Sequence, residues 1–180
     1  MLKKKLRNKI LVYRKNNYKL IRPKYYLLKD ILKKFNLLKN KKVGVYFPIN
    51  CEIDCLEISQ QLEKSGHKIS LPIIRKSNQM DFFEWSYKDP LCIGKIGIPE
   101  PISKKKIYPD VLLVPMVAFN KYKFRLGYGG GYYDRYIRKM KKIKKILTIG
   151  MAFSFQKVKK LPVNTYDEKL DFILTENYIK

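Results

Sequence analysis

The stretch that decides the fold is Val-Leu-Leu-Val-Pro-Met-Val-Ala-Phe, residues 111–119. It is apolar throughout and shows little of the alternation between apolar and polar residues that marks a half-buried strand. Such a run predicts a central strand that is covered on both faces, as crossover helices cover the strands of a parallel sheet. We therefore predict an α/β fold with a largely parallel central sheet.

Strand and helix patterns alternate on both sides of this stretch. Strands are predicted over residues 41–49, 67–74, 80–87, 146–153 and 171–176. Helices are predicted over 2–15, from Pro23 to Asn40, over 53–65 with a stop at Gly66, and over 132–142. Residues 88–109 and 120–131 are predicted loops. Because no repeat or linker divides the chain, this pattern predicts a single α/β domain over residues 1–180.

The N-terminal segment is basic and has the spacing of an amphipathic helix. Leu2, Leu6, Ile10 and Tyr13 fall on one face of that helix. The segment lacks the continuous apolar core and the small-residue cleavage site of a signal peptide. No apolar run in the chain approaches the roughly 20 residues of a membrane-spanning helix. We expect a cytoplasmic protein without a membrane partner, and a monomer.

The net charge of +25 raises the alternative of a basic nucleic-acid-binding module. Only seven of the 40 basic residues are arginines, and the lysines are scattered over the whole chain instead of forming one stripe. We interpret this charge as compositional bias on a solvated surface and expect no nucleic-acid partner. Anionic small molecules would still be attracted to such a surface.

Cysteine and histidine are too few for a zinc site or a disulfide scaffold. The cysteines are Cys51, Cys55 and Cys92, an odd number without a dense framework. The single histidine, His67, cannot complete the four ligands of a structural zinc site. We interpret His67 as a surface residue between a helix and a strand.

The most informative segment for function is Arg-Leu-Gly-Tyr-Gly-Gly-Gly-Tyr-Tyr-Asp-Arg, residues 125–135. It follows the central strand and precedes a helix, where ligands bind in open α/β sheets. Its glycines let the backbone approach a ligand, and successive N–H groups at a helix start can bind phosphate. It is neither a Walker A motif nor a dinucleotide fingerprint. A glycine-rich hairpin with tyrosines packed over it remains the structural alternative.

This segment, with Val-Pro-Met-Val-Ala-Phe upstream of it, resembles the signature of the 5-formyltetrahydrofolate cyclo-ligases. Further similarity occurs in the order expected for that family and covers essentially the whole chain. The similar segments are KKKLR (3–7), YFPINCEID (46–54), LPII (71–74), MDFFEW (80–85), GIPEP (97–101) and LPVNTYDEKLDFILTE (161–176). One departure is Tyr166, since the family usually has His or Asn before the aspartate that corresponds to Asp167.

The resemblance implies a three-layer α/β fold and the following site residues. ATP contacts would come from Lys3, Lys4, Lys5, Leu6 and Arg7, and from Arg125, Leu126, Gly127, Tyr128, Gly129, Gly130, Gly131, Tyr132 and Tyr133. Contacts to the folate substrate would come from Phe47, Glu52, Tyr128, Gly129, Gly130, Gly131 and Tyr132. Arg125 and Tyr132 would be catalytic, and Asp134 and Asp167 would bind Mg²⁺.

The implied reaction is the ATP-dependent closure of 5-formyltetrahydrofolate to 5,10-methenyltetrahydrofolate, with release of ADP and phosphate through a phosphorylated formyl group. It needs alignment and charge neutralisation and no protein nucleophile. A kinase-like ATPase with another substrate remains a further alternative.

Several residues also have simpler interpretations. Lys3 and Arg7 would then lie on a solvated helix face, and Glu52 in the first turn of a helix. Phe47 and Trp85 would belong to the core. Asp134 would cap its helix or pair with Arg138.

Overall fold

The structure, a computed structural model, describes residues 2–18 and 24–179. These residues form the helices α1 (Leu2–Asn17), α2 (Tyr25–Lys34), α3 (Leu56–Lys64) and α4 (Tyr132–Ile143). They also form the strands β1 (Lys42–Gly44), β2 (Lys68–Ile74), β3 (Met80–Glu84), β4 (Leu91–Ile93), β5 (Pro99–Pro101), β6 (Lys106–Ile107), β7 (Val111–Pro115), β8 (Ala118–Phe119), β9 (Arg125–Leu126), β10 (Leu147–Met151) and β11 (Phe172–Leu174). A short 3-10 helix, Ser154–Gln156, follows β10.

Seven strands form the central sheet, in the order β11-β10-β7-β1-β2-β3-β6. All neighbours from β11 to β2 are parallel, whereas β3 is antiparallel to both β2 and β6. Leu147, Val111, Val43 and Ile69 lie side by side across four adjacent strands, and all four are buried. The prediction of an α/β fold with a largely parallel sheet is confirmed.

Helices cover both faces of this sheet. Leu32 of α2 and Leu62 of α3 pack in one core cluster with Leu113 of β7. Ile137 of α4 packs in the opposite cluster with Leu112 of β7. Adjacent residues of β7 thus face different layers, which explains the uninterrupted apolar run. Each such fully buried side chain contributes roughly 1.5–3 kcal/mol to the free energy of unfolding.

The sequence prediction of one strand over residues 111–119 is wrong beyond Pro115. Proline has no N–H to donate to a strand neighbour, and β7 ends there. The chain continues into β8, which pairs with β9 in a two-stranded hairpin. The predicted loop 120–131 therefore contains a strand that carries Arg125. The predicted loop 88–109 likewise contains the hairpin of β4 and β5 and the edge strand β6.

Other predicted boundaries also differ. The second helix ends at Lys34, before the predicted Asn40, and both Asn36 and Asn40 have a φ of 55°. A left-handed conformation at these two residues is incompatible with a continuous helix. The first strand ends at Gly44 and not at residue 49. Pro23, the predicted start of the second helix, lies outside the described residues.

Helix α1 does not bury the face that its apolar spacing predicts. Leu2 is 75% exposed and Tyr13 is 50% exposed, whereas Arg14 is fully buried. None of the helices in the described ranges is both long and apolar enough to cross a membrane.

The connections leave the centre of the sheet in opposite directions. From β1 the chain passes through α3 to β2 on one side, and from β7 it passes through α4 to β10 on the other. Because β1 and β7 are neighbours, a crevice opens beyond their carboxyl ends. Residues from the segment after β1 and from the loop before α4 line a pocket there.

Candidate active site

The crevice beyond β1 and β7 holds a pocket, here called the switch-point pocket. Its walls come from the segment after β1, from the glycine loop, from β2 and β3, and from the β4–β5 hairpin. The lining residues that matter below are Phe47, Glu52, Arg125, Gly127, Tyr128, Gly130, Gly131, Tyr132, Tyr133 and Asp134. Eight of the twenty lining residues lie within 125–134, so the glycine loop and the start of α4 form a large part of the site.

The glycine loop, residues 127–131, joins β9 to α4. Gly129 has a φ of 110° and Gly131 a φ of 65°, a region that non-glycine residues rarely adopt. Gly131 is the residue before the first turn of α4, and no side chain caps that turn. Among the described residues, no acceptor is found for the backbone N–H groups of Gly129, Gly130 and Gly131. Such N–H groups at a helix N-terminus suit an anion.

The glycine loop is fastened to the turn between β2 and β3. Arg135 donates from Nε and Nη2 to the carbonyl oxygen of Asn78, at 3.0 and 2.7 Å, and also to the carbonyl oxygen of Gly130. The Tyr132 hydroxyl donates to Oδ1 of Asn78 at 3.3 Å. Sequence analysis did not identify Arg135 or Asn78 as site residues. Asn78 has a φ of 53°, and its turn lies far from the loop in sequence.

Arg125 is brought into the pocket by β9 and is almost completely buried, with 3% of its side chain exposed. Its Nη2 lies 2.9 Å from Oδ1 of Asp134, and its Nη1 donates to the carbonyl oxygen of Glu168 at 3.2 Å. Asp134 does not pair with Arg138, the alternative left open by the sequence. Arg138 pairs instead with Glu168.

The C-terminal segment folds back to the same place. Asp134 accepts a hydrogen bond from the backbone N–H of Glu168 at 2.9 Å, so Asp167 lies next to the start of α4. Oδ2 of Asp167 lies 2.7 Å from Nζ of Lys3. Tyr166, the residue that departs from the family pattern, is 72% exposed and does not enter the pocket.

Helix α1 contributes two of its predicted residues to this region. Lys3 contacts Asp167, and Nε of Arg7 donates to the carbonyl oxygen of Gly127 at 2.9 Å. Lys4 and Lys5 are exposed, and Leu6 is half-buried. Of the predicted basic contacts, the structure therefore brings Arg7 to the glycine loop and Lys3 to the C-terminal segment beside it, and leaves Lys4 and Lys5 exposed.

Glu52 lines the pocket from the segment that follows β1. It does not lie in the first turn of α3, which begins at Leu56, so that simpler interpretation is wrong. Oε2 accepts from the backbone N–H of Ile49 at 3.0 Å, whereas the buried Oε1 lacks a hydrogen-bond partner among the described residues. Burial raises the pKa of Glu52 to about 7, although the Ile49 N–H and the charge of Arg14 lower it. Phe47, half-buried, lines the pocket beside it.

Arg14 contacts the glycine loop through Tyr128, and sequence analysis did not identify it. Nη1 donates to the carbonyl oxygen of Met116 at 3.0 Å, and Nη2 donates to the hydroxyl of Tyr128. The signal was present in the sequence, because Lys3, Arg7, Ile10 and Arg14 recur at helical spacing. It was overlooked because apolar residues were used to choose the buried face.

Two other predicted features do not belong to the pocket. Trp85 is 4% exposed and donates from Nε1 to the carbonyl oxygen of Asp89, as expected for a core residue. His67 is buried, with 4% of its surface exposed, so the prediction of a surface histidine is wrong. Burial lowers the pKa of His67. No cluster of three or more metal-binding side chains occurs in the described part of the chain.

Comparison with known proteins connects this geometry to a family. A family model described as the 5-formyltetrahydrofolate cyclo-ligase family matches residues 2–176. The chain belongs to this family. The 5-formyltetrahydrofolate cyclo-ligase of Escherichia coli K12 is 31% identical over 144 residues, which cover 76% of this chain and 79% of the relative. Membership makes the chain an enzyme of a ligase family and confirms the resemblance drawn from its motifs.

Two solved structures are similar to this cyclo-ligase family member. The NMR structure of 5,10-methenyltetrahydrofolate synthetase from Aquifex aeolicus has a TM-score of 0.78 at 32% identity, covering 100% of this chain and 92% of that one. The 5,10-methenyltetrahydrofolate synthetase of Mycoplasma pneumoniae has a TM-score of 0.72 at 24% identity, covering 98% of this chain and 99% of that one. The second similarity concerns the fold alone.

Proposed function

We propose that the protein catalyses the ATP-dependent cyclisation of 5-formyltetrahydrofolate to 5,10-methenyltetrahydrofolate. The observation that carries this proposal is the composition of the switch-point pocket. Its lining combines a buried carboxylate, Glu52, with the glycine loop and Arg125. A folate has a hydrogen-bonding pterin ring, and ATP supplies phosphates, so these two kinds of group match the two reactants of this reaction.

The Glu52 carboxylate is suited to the pterin ring of the folate. A carboxylate accepts two parallel hydrogen bonds from a planar donor pair, which the amino-pyrimidine edge of a pterin presents. The free Oε1 of Glu52 leaves one of these acceptors available. Phe47 and Tyr128 also line the pocket, and their rings can offer apolar faces to the ring system.

The glycine loop is suited to the phosphates of ATP. The N–H groups of Gly129, Gly130 and Gly131 form an anion site at the start of α4. Arg125, Arg7 and Lys3 add positive charge around it. The remaining predicted phosphate contacts are Leu126, Gly127, Tyr128, Tyr132 and Tyr133 of the same segment.

The chemistry requires positioning more than a reactive side chain. The formyl oxygen is a poor leaving group until the γ-phosphoryl group of ATP is transferred to it, which forms an O–P bond and breaks the bond to ADP. N10 of the folate then attacks the formyl carbon and loses its proton, and the carbon–oxygen bond breaks to release phosphate. Arg125 stabilises the charge on the phosphoryl group. Tyr132, the first residue of α4, contacts the phosphoryl group during its transfer.

Asp134 and Asp167 fit a role in holding Mg²⁺ together with a nucleotide. Each has one carboxylate oxygen, Oδ2 of Asp134 and Oδ1 of Asp167, without a hydrogen-bond partner among the described residues. Mg²⁺ in nucleotide sites takes one or two carboxylates, phosphate oxygens and several waters. When bound, the ion neutralises phosphate charge during the transfer.

The proposal is tested by measuring the absorbance of methenyl product with purified protein, 5-formyltetrahydrofolate, ATP and Mg²⁺. We expect product formation and stoichiometric ADP release, both dependent on the folate. ADP release that does not require the folate would identify an ATPase with another substrate. Absence of product from protein that is folded by circular dichroism would refute the proposed function.

A further inference from the structure

Arg14 stands apart from every other charged residue of the described chain because its side chain has no solvent exposure at all. Its two hydrogen bonds lead to the carbonyl oxygen of Met116, just after β7, and to the hydroxyl of Tyr128 in the glycine loop. Its guanidinium also lies 5.9 Å from the centre of the Tyr128 ring. A buried residue of α1 thus contacts a side chain of the glycine loop directly.

The environment of Arg14 is not the one expected of an anchor that only attaches α1. Its Nε is buried and has no hydrogen-bond partner among the described residues. Leaving a buried donor of a charged group unpaired is costly, and an apolar side chain of similar volume would often be neutral or stabilising there. The position therefore carries a charge for a reason other than packing.

The charge of Arg14 acts on Glu52, which also has an unpaired buried atom, Oε1. Tyr128 interacts with both residues: its hydroxyl accepts from Arg14, and it lowers the pKa of Glu52. Arg14, Tyr128 and Glu52 consequently form one electrostatic unit, of which Tyr128 and Glu52 line the switch-point pocket.

We propose that Arg14 is a positioning residue for the folate substrate, holding Tyr128 against Glu52 and keeping one positive charge beside that carboxylate. This inference rests on the proposed function, since it assigns Glu52 to the pterin ring. Arg14 itself does not line the pocket, so it acts on the substrate through Tyr128 and Glu52.

Glu52 is the group of this unit that titrates near neutral pH. Burial raises its pKa to about 7, and the charge of Arg14 lowers it from the value that burial alone would give. The other titratable groups that interact with it have pKa values raised by burial, far from neutrality. They are Tyr46 and Cys55 from the segment after β1, Tyr128 from the glycine loop, and Tyr133 from α4. A change in the acidic limb of the pH profile would therefore report on Glu52.

The kinetic test compares Arg14→Met and Arg14→Lys with the matched control Lys15→Met, which removes an exposed cation from the same turn of α1. In Arg14→Met we expect the KM for 5-formyltetrahydrofolate to rise by roughly ten- to a hundredfold, the range for a lost charge-assisted hydrogen bond. The KM for ATP should change much less. The acidic limb of kcat/KM should move upward by roughly one pH unit, because Glu52 then loses a nearby opposite charge.

If Arg14→Met does not fold, the variants Arg14→Lys and Tyr128→Phe still test the proposal. Lysine retains the charge but cannot make both hydrogen bonds, so we expect a raised KM for the folate with an acidic limb close to that of the wild type. Adding Tyr128→Phe to an Arg14 variant should have little further effect on that KM, since both changes break the same contact. Full additivity would overturn positioning through Tyr128.

A measurement without catalysis separates this inference from the proposed function. The Glu52 carboxyl signal, assigned with Glu52→Gln, can be titrated by NMR in ligand-free protein. We expect a higher pKa in Arg14→Met than in the wild type and in Lys15→Met. Wild-type protein without methenyl-forming activity would refute the proposed function but not this result. Identical titration curves and an unchanged KM for the folate in Arg14→Met would overturn the role of Arg14.

Discussion

Arg125 and Asp134 form an ion pair across the glycine loop, with 2.9 Å between Nη2 of the arginine and Oδ1 of the aspartate. One partner precedes the loop and the other lies in the first turn of α4, so the pair closes the loop into a ring. The same aspartate oxygen accepts from the backbone N–H of Glu168, and the arginine donates to the carbonyl oxygen of Glu168. The loop, the helix and the C-terminal segment therefore meet at one pair of charges.

Replacing Arg125 by Ala should weaken the use of ATP. The buried guanidinium lies in the pocket beside the glycine loop, and a hydrogen bond from a charged group to phosphate contributes about 1.5–3 kcal/mol. We expect the KM for ATP to rise and turnover to fall, with a smaller effect on the KM for the folate. Lys139→Ala, which removes an exposed ion pair between α4 and Asp81, is the control. Unchanged ATP kinetics in Arg125→Ala would exclude Arg125 from the phosphate site.

Replacing Asp134 by Asn should affect both metal dependence and stability. The amide keeps an acceptor for the Glu168 N–H but removes the charge that pairs with the buried Arg125. We expect activity to fall and to recover partly at high Mg²⁺. The free energy of unfolding should drop by about 1–3 kcal/mol, since the lost hydrogen bond is to a charged group. Mg²⁺ titration and thermal unfolding of the same sample provide the measurement, and an unaltered titration would contradict the metal role.

Replacing Asp167 by Asn should reproduce the Mg²⁺ effect without the loss of stability. Its ion pair with Lys3 is partly exposed, with 32% and 16% of the two side chains accessible, and such pairs contribute about 1 kcal/mol or less. Lys3→Met should raise the KM for ATP at a similarly small cost in stability. If Asp167→Asn instead unfolds the protein while its Mg²⁺ dependence stays normal, the residue is structural.

Replacing Glu52 by Gln should stabilise the ligand-free protein at pH 8 while reducing its affinity for the folate. Burial raises the pKa of Glu52 from its ordinary value of 4.5 to about 7, so between these values the folded chain binds more protons than the unfolded chain. The free energy of unfolding therefore falls as pH rises through this interval, and the penalty is complete above pH 7. Glu52→Gln removes this penalty and should therefore raise the free energy of unfolding by up to about 3 kcal/mol at pH 8 and by little at pH 4.

Urea unfolding at the two pH values measures this effect. The control is Glu84→Gln at the end of β3, which removes a carboxylate that is paired with Lys105. It separates the effect of burying Glu52 from the loss of one negative charge in a basic protein. Equal stability of wild type and Glu52→Gln at pH 8 would show that burial does not raise the pKa of Glu52 above its value in the unfolded chain.

The sequence alone was sufficient for the elements that depend on local patterns. Residues 111–115 are apolar on both faces because helices cover both, and that two-sided burial is visible in the residues themselves. Helix α4 begins at the predicted Tyr132, since a glycine run that permits left-handed backbone directly precedes it. The family was likewise identifiable from motifs whose residues are contiguous.

Only the tertiary structure decided how distant charged residues pair. Arg14 is buried by contact with Met116 and Tyr128, more than 100 positions away, whereas its own neighbours suggest a solvated helix. Asp134 pairs with Arg125 across the loop and not with Arg138 one turn along its helix, because Glu168 of the returning C-terminal segment occupies Arg138. Helical spacing indicates which residues share a face of a helix. Which charged residues pair with that face depends on the distant segments that pack against it.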